Sequence, residues 1–335
     1  MSRGGAPRRG ATHEGGAEYH EKIAGFDHRE RNATVPPIGL PMRIAILSRN
    51  KNLHSIRRLL QEARKVKLHC DVIDPLDCQL AVDGKKSCIL IGNEVLPRYD
   101  VVLPRIGASI TDYGIAVVKQ FEGQGTVTVN SSKAIAESRD KMSCLQVLSN
   151  AGLRVPKTVL TRNTRGGMKA AIERVNGMPV VLKILKGTQG LGVMLVHSPV
   201  SLGSVMETFH GLDQEVIIQQ FIAEGAGRDY RAFVIGNRVA AAMMRTAPEG
   251  EFRTNIHRGG EGKLVKLPKN FERAAIRATK VLGLQIAGVD LMESRSGPLV
   301  IEVNSSPGFE GIERATGLNI GAAIIKHMRS MKRRG

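Results

Sequence analysis

Asp290, Glu302 and Asn304 stand in two short apolar runs, AGVDLMES and PLVIEVNSSPG, that meet across a Gly- and Ser-containing turn at residues 294–297. Successive side chains of a strand point to opposite faces, so Glu302 and Asn304 share one face, and a hairpin turning near Ser296 sets Asp290 opposite Glu302. Val289, Leu291, Ile301 and Val303 are then expected on the other face, in a core. Two carboxylates and an amide oxygen converge with no base nearby in sequence to neutralise them, an arrangement that is costly unless a cation fills it. A solvated strand face is the plainer reading of an Asp and a Glu on a hairpin, but both runs are too apolar for a solvated edge. Hard oxygen donors without His or Cys favour Mg²⁺ or Mn²⁺ over zinc.

A phosphate ligand for such a cation is suggested upstream. The loop GTQGLG at residues 187–192 joins two β-branched strand candidates, whereas dinucleotide fingerprints and Walker loops lead into a helix. A glycine-rich strand-turn-strand can fold over a triphosphate, because backbone N–H groups approach where no Cβ obstructs them. Gly187, Gly190 and Gly192 are the candidates, with a merely flexible turn as the bland alternative. Lys183, in VVLKILKG, lies in the apolar strand ahead of the loop and within reach of α- and β-phosphates, against the simpler reading of a lysine snorkelling from a strand. Lys141, early in an inter-domain helix, is a second phosphate candidate. The strand IIQQFI ends at Gln220 and Phe221, where backbone groups could meet an adenine edge.

The segment EFRTNIHRGGEG concentrates Arg253, Asn255, His257 and Arg258 before a Gly pair. That composition suits a loop closing over anions, with guanidinium forks on phosphate or carboxylate. His257 alone reads as an ordinary loop histidine. Arg245, at the end of an apolar strand, is a further anion-binding candidate. Arg245 and Arg258 are the two candidates for a catalytic role.

Positioning these groups requires at least two kinds of sheet. From Met42 to about Asn130, strands at 43–47, 68–73, 101–103 and 126–129 alternate with helices near 53–67 and 112–122, with a hairpin at Asp83-Gly84; this βαβ alternation predicts an α/β domain with a parallel sheet. A helical segment from Ser132, which caps it, through Asn150 leads into a second unit. Strands are expected at 158–160, 180–184, 193–196, 216–221, 230–235 and 239–245, the last two joined across Gly236-Asn237. Helices near 166–176, 202–209 and 270–282 complete an antiparallel-rich α+β remainder. The expected organisation is an extension over 1–41, an α/β domain over 42–130, a central subdomain with the Gly-rich loop over 131–212, and a C-terminal subdomain with the metal site and a basic tail over 213–335. Residues 1–41, rich in Gly, Arg, His and Glu and ending in VPPIGLP, read as a disordered extension, and Met42 as a possible alternative start.

The chain has 335 residues, enough for two or three domains, and a net charge of +18 that calls for an acidic partner. Aromatic residues make up 4 % with no Trp, which disfavours base-stacking modules for single strands or RNA. Cys70, Cys78, Cys88 and Cys144 form no CxxC and stand in no pattern with His, so neither zinc nor a redox pair is indicated and free thiols in a reducing cytosol are expected. No apolar run is long enough for a membrane helix, and no signal peptide is evident.

Taken in order, the lysine strand, the Gly-rich strand-turn-strand, RDYRAFVIGNRVAAAMMR, RTNIHRGG, GVDLM and EVNSSPG resemble the ATP-grasp ligases. In the first domain, RIAILSR, LPRIGASITDYGIAVVKQFE and SRDK resemble the RimK family of α-L-glutamate ligases, which add glutamate to the C-terminus of ribosomal protein S-six. The resemblance runs from Met42 to about Lys326. It implies an ATP-grasp architecture: an N-terminal parallel-sheet (pre-ATP-grasp) domain and two α+β subdomains enclosing ATP. Carried over residue by residue, Lys183, Gln220, Phe221, Asp229, Arg253, Thr254 and Asn255 would contact ATP, and Asp290, Glu302 and Asn304 would hold two Mg²⁺ or Mn²⁺ ions. The family often has Glu where Gln220 stands; a backbone contact to adenine tolerates that change and a carboxylate contact does not.

The implied reaction activates a carboxylate with ATP as an acyl phosphate, which the amine of glutamate opens to an amide. The implied partners are free L-glutamate and the acidic C-terminus of a ribosomal protein, in a cytoplasmic homo-oligomer without nucleic-acid specificity or membrane attachment. Two rivals stand beside this reading. One is an ATP-grasp ligase acting on a glutamate-bearing coenzyme or an amino-group carrier protein. The other is a ribosome-associated regulator that binds ATP without turnover, which the complete Asp290, Glu302 and Asn304 set disfavours.

Overall fold

Ile44, Ala45, Ile46 and Leu47 follow one another without a polar residue, the pattern of a strand covered on both faces, and all four are fully buried in β1 (Arg43–Leu47). The computed structural model describes residues 42–84, 86–162, 166–185, 192–254 and 260–331. Helix α1 (His54–Lys65) returns the chain to β2 (His69–Ile73), burying Ile56, Leu59 and Ala63. A three-stranded antiparallel sheet follows, made of β3 (Cys78–Asp83), β4 (Lys86–Ile91) and β5 (Glu94–Val95). Then come β6 (Val101–Pro104), α2 (Thr111–Gly123) and β7 (Val127–Thr128). The parallel sheet has the order β2-β1-β6-β7, as the βαβ alternation requires.

The helical segment expected from Ser132 to Asn150 is two helices, α3 (Ser132–Arg139) and α4 (Lys141–Asn150). Asp140 separates them: its backbone is extended and its carboxylate accepts from Ser143 N at 2.8 Å, so a favourable N-cap restarts the helix. The cap of α3 is Ser131, not Ser132, whose hydroxyl is bonded to Glu122 instead. The break puts Lys141 in the first turn of α4.

The central antiparallel sheet has the order β10-β9-β11-β8, built from β8 (Thr158–Leu160), β9 (Val180–Ile184), β10 (Val193–Val196) and β11 (Val216–Gln220). It packs on α5 (Met168–Arg174) and α6 (Pro199–Gly211) through Leu182, Leu202, Met206 and Ile218. The third large sheet, also antiparallel, runs β14-β13-β12-β15-β16 from β12 (Arg228–Ile235), β13 (Arg238–Thr246), β14 (Glu261–Leu264), β15 (Ile286–Met292) and β16 (Leu299–Asn304). One face packs on α7 (Lys269–Val281), with Phe271, Ala275 and Ala278 against Ala232, Val289 and Val303. Phe233, Ile235, Met243 and Ile286 join the core of the parallel sheet, together with α8 (Glu310–Thr316) and α9 (Ile320–Ser330). No helix among the described residues is long and apolar enough to cross a membrane.

Asn130 ties the first domain to the strands of the predicted metal site. Its amide donates to the carbonyls of Ile286 and Ser305, both at 2.8 Å, and its Oδ1 accepts from Gln285 N at 2.6 Å and Ile286 N at 3.0 Å. Every donor and acceptor of this buried side chain is used. Asn130→Ala leaves buried backbone groups unpartnered and is expected to cost about 3 kcal/mol, read as a lower midpoint in urea unfolding.

Candidate active site

Strands β15 and β16 pair Gly288 with Asn304, Val289 with Val303 and Asp290 with Glu302, the register expected from the turn. Beyond Asp290 the register shifts, so that Leu291 faces Val300 and Ile301 is the extra residue of a bulge. The expectation that Ile301 enters the core is therefore corrected. Val300 and Val303 are the core residues, and Ile301 lines the cleft beside Glu302. Gly288 accommodates a close approach: a Cβ there would stand 2.8 Å from Pro307 Cβ and 3.0 Å from Arg231 Nη1.

The absence of a neutralising base near these carboxylates is a property of the sequence, not of the fold. Arg231 on β12 stands opposite Asp290 in the β12–β15 register and forks onto it, Nε donating to Oδ1 and Nη2 to Oδ2, the latter at 2.7 Å. Arg245 on β13 donates from Nη2 to Asp290 Oδ2 at 2.9 Å and forks onto Asp229 at 2.7 and 2.5 Å. Thr254 Oγ1 donates to Asp229 Oδ2 at 2.6 Å. Burial opposes ionisation of Asp290, but Arg231 and Arg245 outweigh it and hold the carboxyl below its ordinary range. Desolvation likewise opposes the charge on Arg245, and Asp290 and Asp229 raise its pKa above the ordinary value.

A cleft brings Lys141, Lys183, Gln220, Phe221, Asp229, Arg245, Arg253 and Thr254 together with Asp290 and Glu302. Asn304 and Gly192 are not among its lining residues. Gly192, at φ +72°, closes the β9–β10 hairpin by accepting from Ile184 N at 3.0 Å. Gly187, Gly190, Asn255, His257 and Arg258, like residues 1–41, lie outside the described residues. Burial lowers the pKa of Lys183 and of Lys141, with Glu302 opposing in each case. Lys141 Nζ also donates to Leu185 O at 3.2 Å. Arg253 is forked on Glu251, with Nη2 at 2.6 Å from Oε2, and this partner pulls the Glu251 carboxyl down to about 2.

Sequence reasoning missed Arg231, Glu251 and the apolar wall of the cleft, which Val181, Val193, Ile222, Phe252, Met292 and Ile301 supply from separate elements. The donor set is of hard oxygens, the type Mg²⁺ takes, although Arg231 and Arg245 hold both Asp290 oxygens here. Asp290 and Glu302 face each other across one strand pair, and the third oxygen is the amide of Asn304, whose Oδ1 also accepts from Ser306 N at 2.9 Å. Among the described residues no group of three or more His, Cys, Asp and Glu converges, so a cation held here would need further ligands from outside these side chains, as Mg²⁺ commonly does. Two half-buried lysines beside an apolar slot likewise fit a nucleoside triphosphate.

Comparisons with known proteins show the family and the fold. The family profile for the RimK PreATP-grasp domain matches residues 42–135, and that for the RimK-like ATP-grasp domain matches residues 138–328. A protein of Vibrio parahaemolyticus named a probable alpha-L-glutamate ligase is 50 % identical over 284 residues, covering 85 % of this chain and 94 % of that protein. One of the same name from Saccharophagus degradans is 49 % identical over 286 residues, covering 85 % and 94 %. In fold, the chain superposes on a RimK domain ATP-grasp protein from Sphaerobacter thermophilus with a TM-score of 0.66 at 24 % identity, covering 85 % of this chain and 99 % of that one. It also superposes on the D-alanine–D-alanine ligase of Bacillus anthracis complexed with ATP, with a TM-score of 0.64 at 18 % identity, covering 86 % and 96 %. With both segments matched in order, and relatives half identical over nearly their whole length, the chain belongs to the RimK-like ATP-grasp family.

Proposed function

We propose that this chain is an ATP-dependent carboxylate-amine ligase that adds L-glutamate to the acidic C-terminus of a ribosomal protein, extending to short glutamate chains. The observation that carries the reading is the convergence in one cleft of two half-buried lysines and Arg245 with Asp290 and Glu302. The curated relatives' name, alpha-L-glutamate ligase, supports the choice of glutamate, and the net charge of +18 suits an acidic acceptor.

The acceptor carboxylate attacks the γ-phosphorus of ATP and ADP leaves; glutamate's amine then attacks the acyl carbon, phosphate leaves, and the amine gives up a proton. Lys183 and Lys141 offset charge on the nucleotide phosphates, and Arg245, held in a fixed plane by Asp229, presents a preorganised cation to the transferring group. Asp290, Glu302 and Asn304 would hold Mg²⁺ or Mn²⁺, as a pair of ions, which offset negative charge at that group. Val181, Phe221, Met292 and Ile301 restrict water in the cleft, which protects an acyl phosphate from hydrolysis. The four cysteines are free thiols, in keeping with a reducing cytoplasm.

Mass spectrometry of a Glu-ending peptide incubated with ATP, Mg²⁺, glutamate and the protein tests this reading. Whole glutamyl additions accompanied by ADP are expected. Additions to a coenzyme acceptor alone would transfer the reading to another ATP-grasp ligase, and nucleotide binding without any product would leave a regulator.

A further inference from the structure

Among the described residues, buried and half-buried guanidinium groups come with carboxylates, apart from two. Among the described residues, the buried or half-buried Arg43, Arg58, Arg231, Arg245 and Arg253 each face an Asp or Glu. The half-buried Arg105 and Arg139 face none among those residues. Arg105 Nη2 donates to the carbonyl of Pro307 at 2.8 Å, and its guanidinium lies 5.8 Å from the centre of the Phe309 ring. Arg139 donates to the carbonyls of Ile106 and Gly107 and, at 2.5 Å, to Thr111 Oγ1. All of these acceptors are neutral. Burial accordingly pushes the pKa of Arg105 down to about 10 and lowers that of Arg139. Cations withdrawn from water without a counter-charge are costly, and two of them around one loop make an anion from outside welcome.

Their place in the fold says which anion. Arg105 follows β6 at the carboxyl end of the parallel sheet, where open α/β sheets take ligands. Arg49, exposed beyond β1, reaches Ser109 Oγ at 3.3 Å on the same edge. Opposite lies the end of β16: Ser306 Oγ donates to Pro104 O at 3.2 Å, while Ser306 N donates to Asn304 Oδ1 at 2.9 Å. Arg105 is thus linked through Pro307 and its chain neighbour Ser306 to Asn304, a proposed metal ligand.

We propose that Arg105, with Arg139 fastening the loop behind it, is a carboxylate-binding subsite that holds a non-reacting carboxylate of a substrate beside the transfer point. The carboxylate belongs either to free glutamate or to the terminal residue of the acceptor. The proposal rests on the ligase reading for its substrates.

Steady-state kinetics of the full chain and of Arg105→Lys and Arg105→Met, with ATP, Mg²⁺, glutamate and a Glu-ending peptide, test it. The KM for one carboxylate substrate is expected to rise about ten- to a hundredfold, the loss of a charged hydrogen bond, while the KM for ATP stays put. A rise for glutamate identifies the free amino acid as the source, and a rise for the peptide identifies the acceptor. Substituting a carboxamide for that carboxylate should penalise the unaltered protein and leave Arg105→Met indifferent. Independently of turnover, that substrate should raise the Tm of the unaltered protein and not that of Arg105→Met. Variants with lower Tm but unchanged KM values and unchanged substrate-induced Tm shifts would make Arg105 a mere fastener and overturn the proposal. Arg105-dependent Tm shifts without glutamyl transfer would defeat the ligase reading and keep the subsite.

Discussion

Arg245→Met is expected to abolish most turnover and to destabilise the protein at the same time. The guanidinium bridges two carboxylates on neighbouring strands, Asp229 on β12 and Asp290 on β15, and it is itself buried. Removing one partner of a buried charge cluster leaves the others uncompensated, at a cost of about 3–5 kcal/mol. Asp290 keeps the fork from Arg231, so the larger share of the loss falls on Asp229, whose remaining side-chain donor is Thr254. Turnover should fall by about 10²–10³-fold, the loss typical of one preorganised electrostatic group. Arg245→Lys restores a charge but not a planar fork, and is expected to recover more stability than activity. The pH dependence separates the electrostatic account from simple loss of packing. The Asp290 pKa is lowered in the fold, so the stability it contributes is present above its ordinary range and lost as pH falls through the folded-state value. The gap in urea midpoint between the two proteins should therefore shrink in acid, and a gap independent of pH would mean that the stem of Arg245, not its charge, is what matters.

How far this cluster was legible in the sequence follows from the geometry of sheets. Asp290 opposite Glu302 could be read directly, because a short turn and a two-residue period fix a hairpin's register. Ile301 could not, because a bulge is a one-residue insertion with no signature in composition. The pairing of Arg231 and Arg245 with Asp290 was invisible for a different reason. Arg231 lies 59 residues away and meets Asp290 only because β12 sits between β13 and β15, and strand order is a property of the whole sheet. Asp140 could have been read as a cap within SRDKMS; a continuous helical pattern on either side hid it. Arg105 and Arg139 stand out only because the other buried or half-buried arginines among the described residues each face a carboxylate.

Lys183→Met is expected to make the protein more stable and less active. Lys183 sits in β9 with Val181 and Leu182, and burial lowers its pKa against the pull of Glu302, Asp290 and Asp229, with Lys141 adding to the lowering. A methionine of similar length keeps the packing and removes the charge, so a gain of about 1 kcal/mol in unfolding free energy is expected, the usual scale for relieving strain held for function. The KM for ATP should rise, and turnover should fall by about a hundredfold or more, because a preorganised cation for the phosphates is gone. The sign of the pH effect is fixed. The unfolded chain holds the lysine proton more tightly than the folded one, so stability of the unaltered protein rises with pH from the folded-state value up to the ordinary lysine value. The methionine variant lacks that rise, and its advantage in urea midpoint should narrow as pH rises from the lowered folded-state value toward the ordinary lysine range. A constant advantage would place the cost of the site elsewhere, with Lys141 the next group to replace, since burial lowers its pKa in the same way.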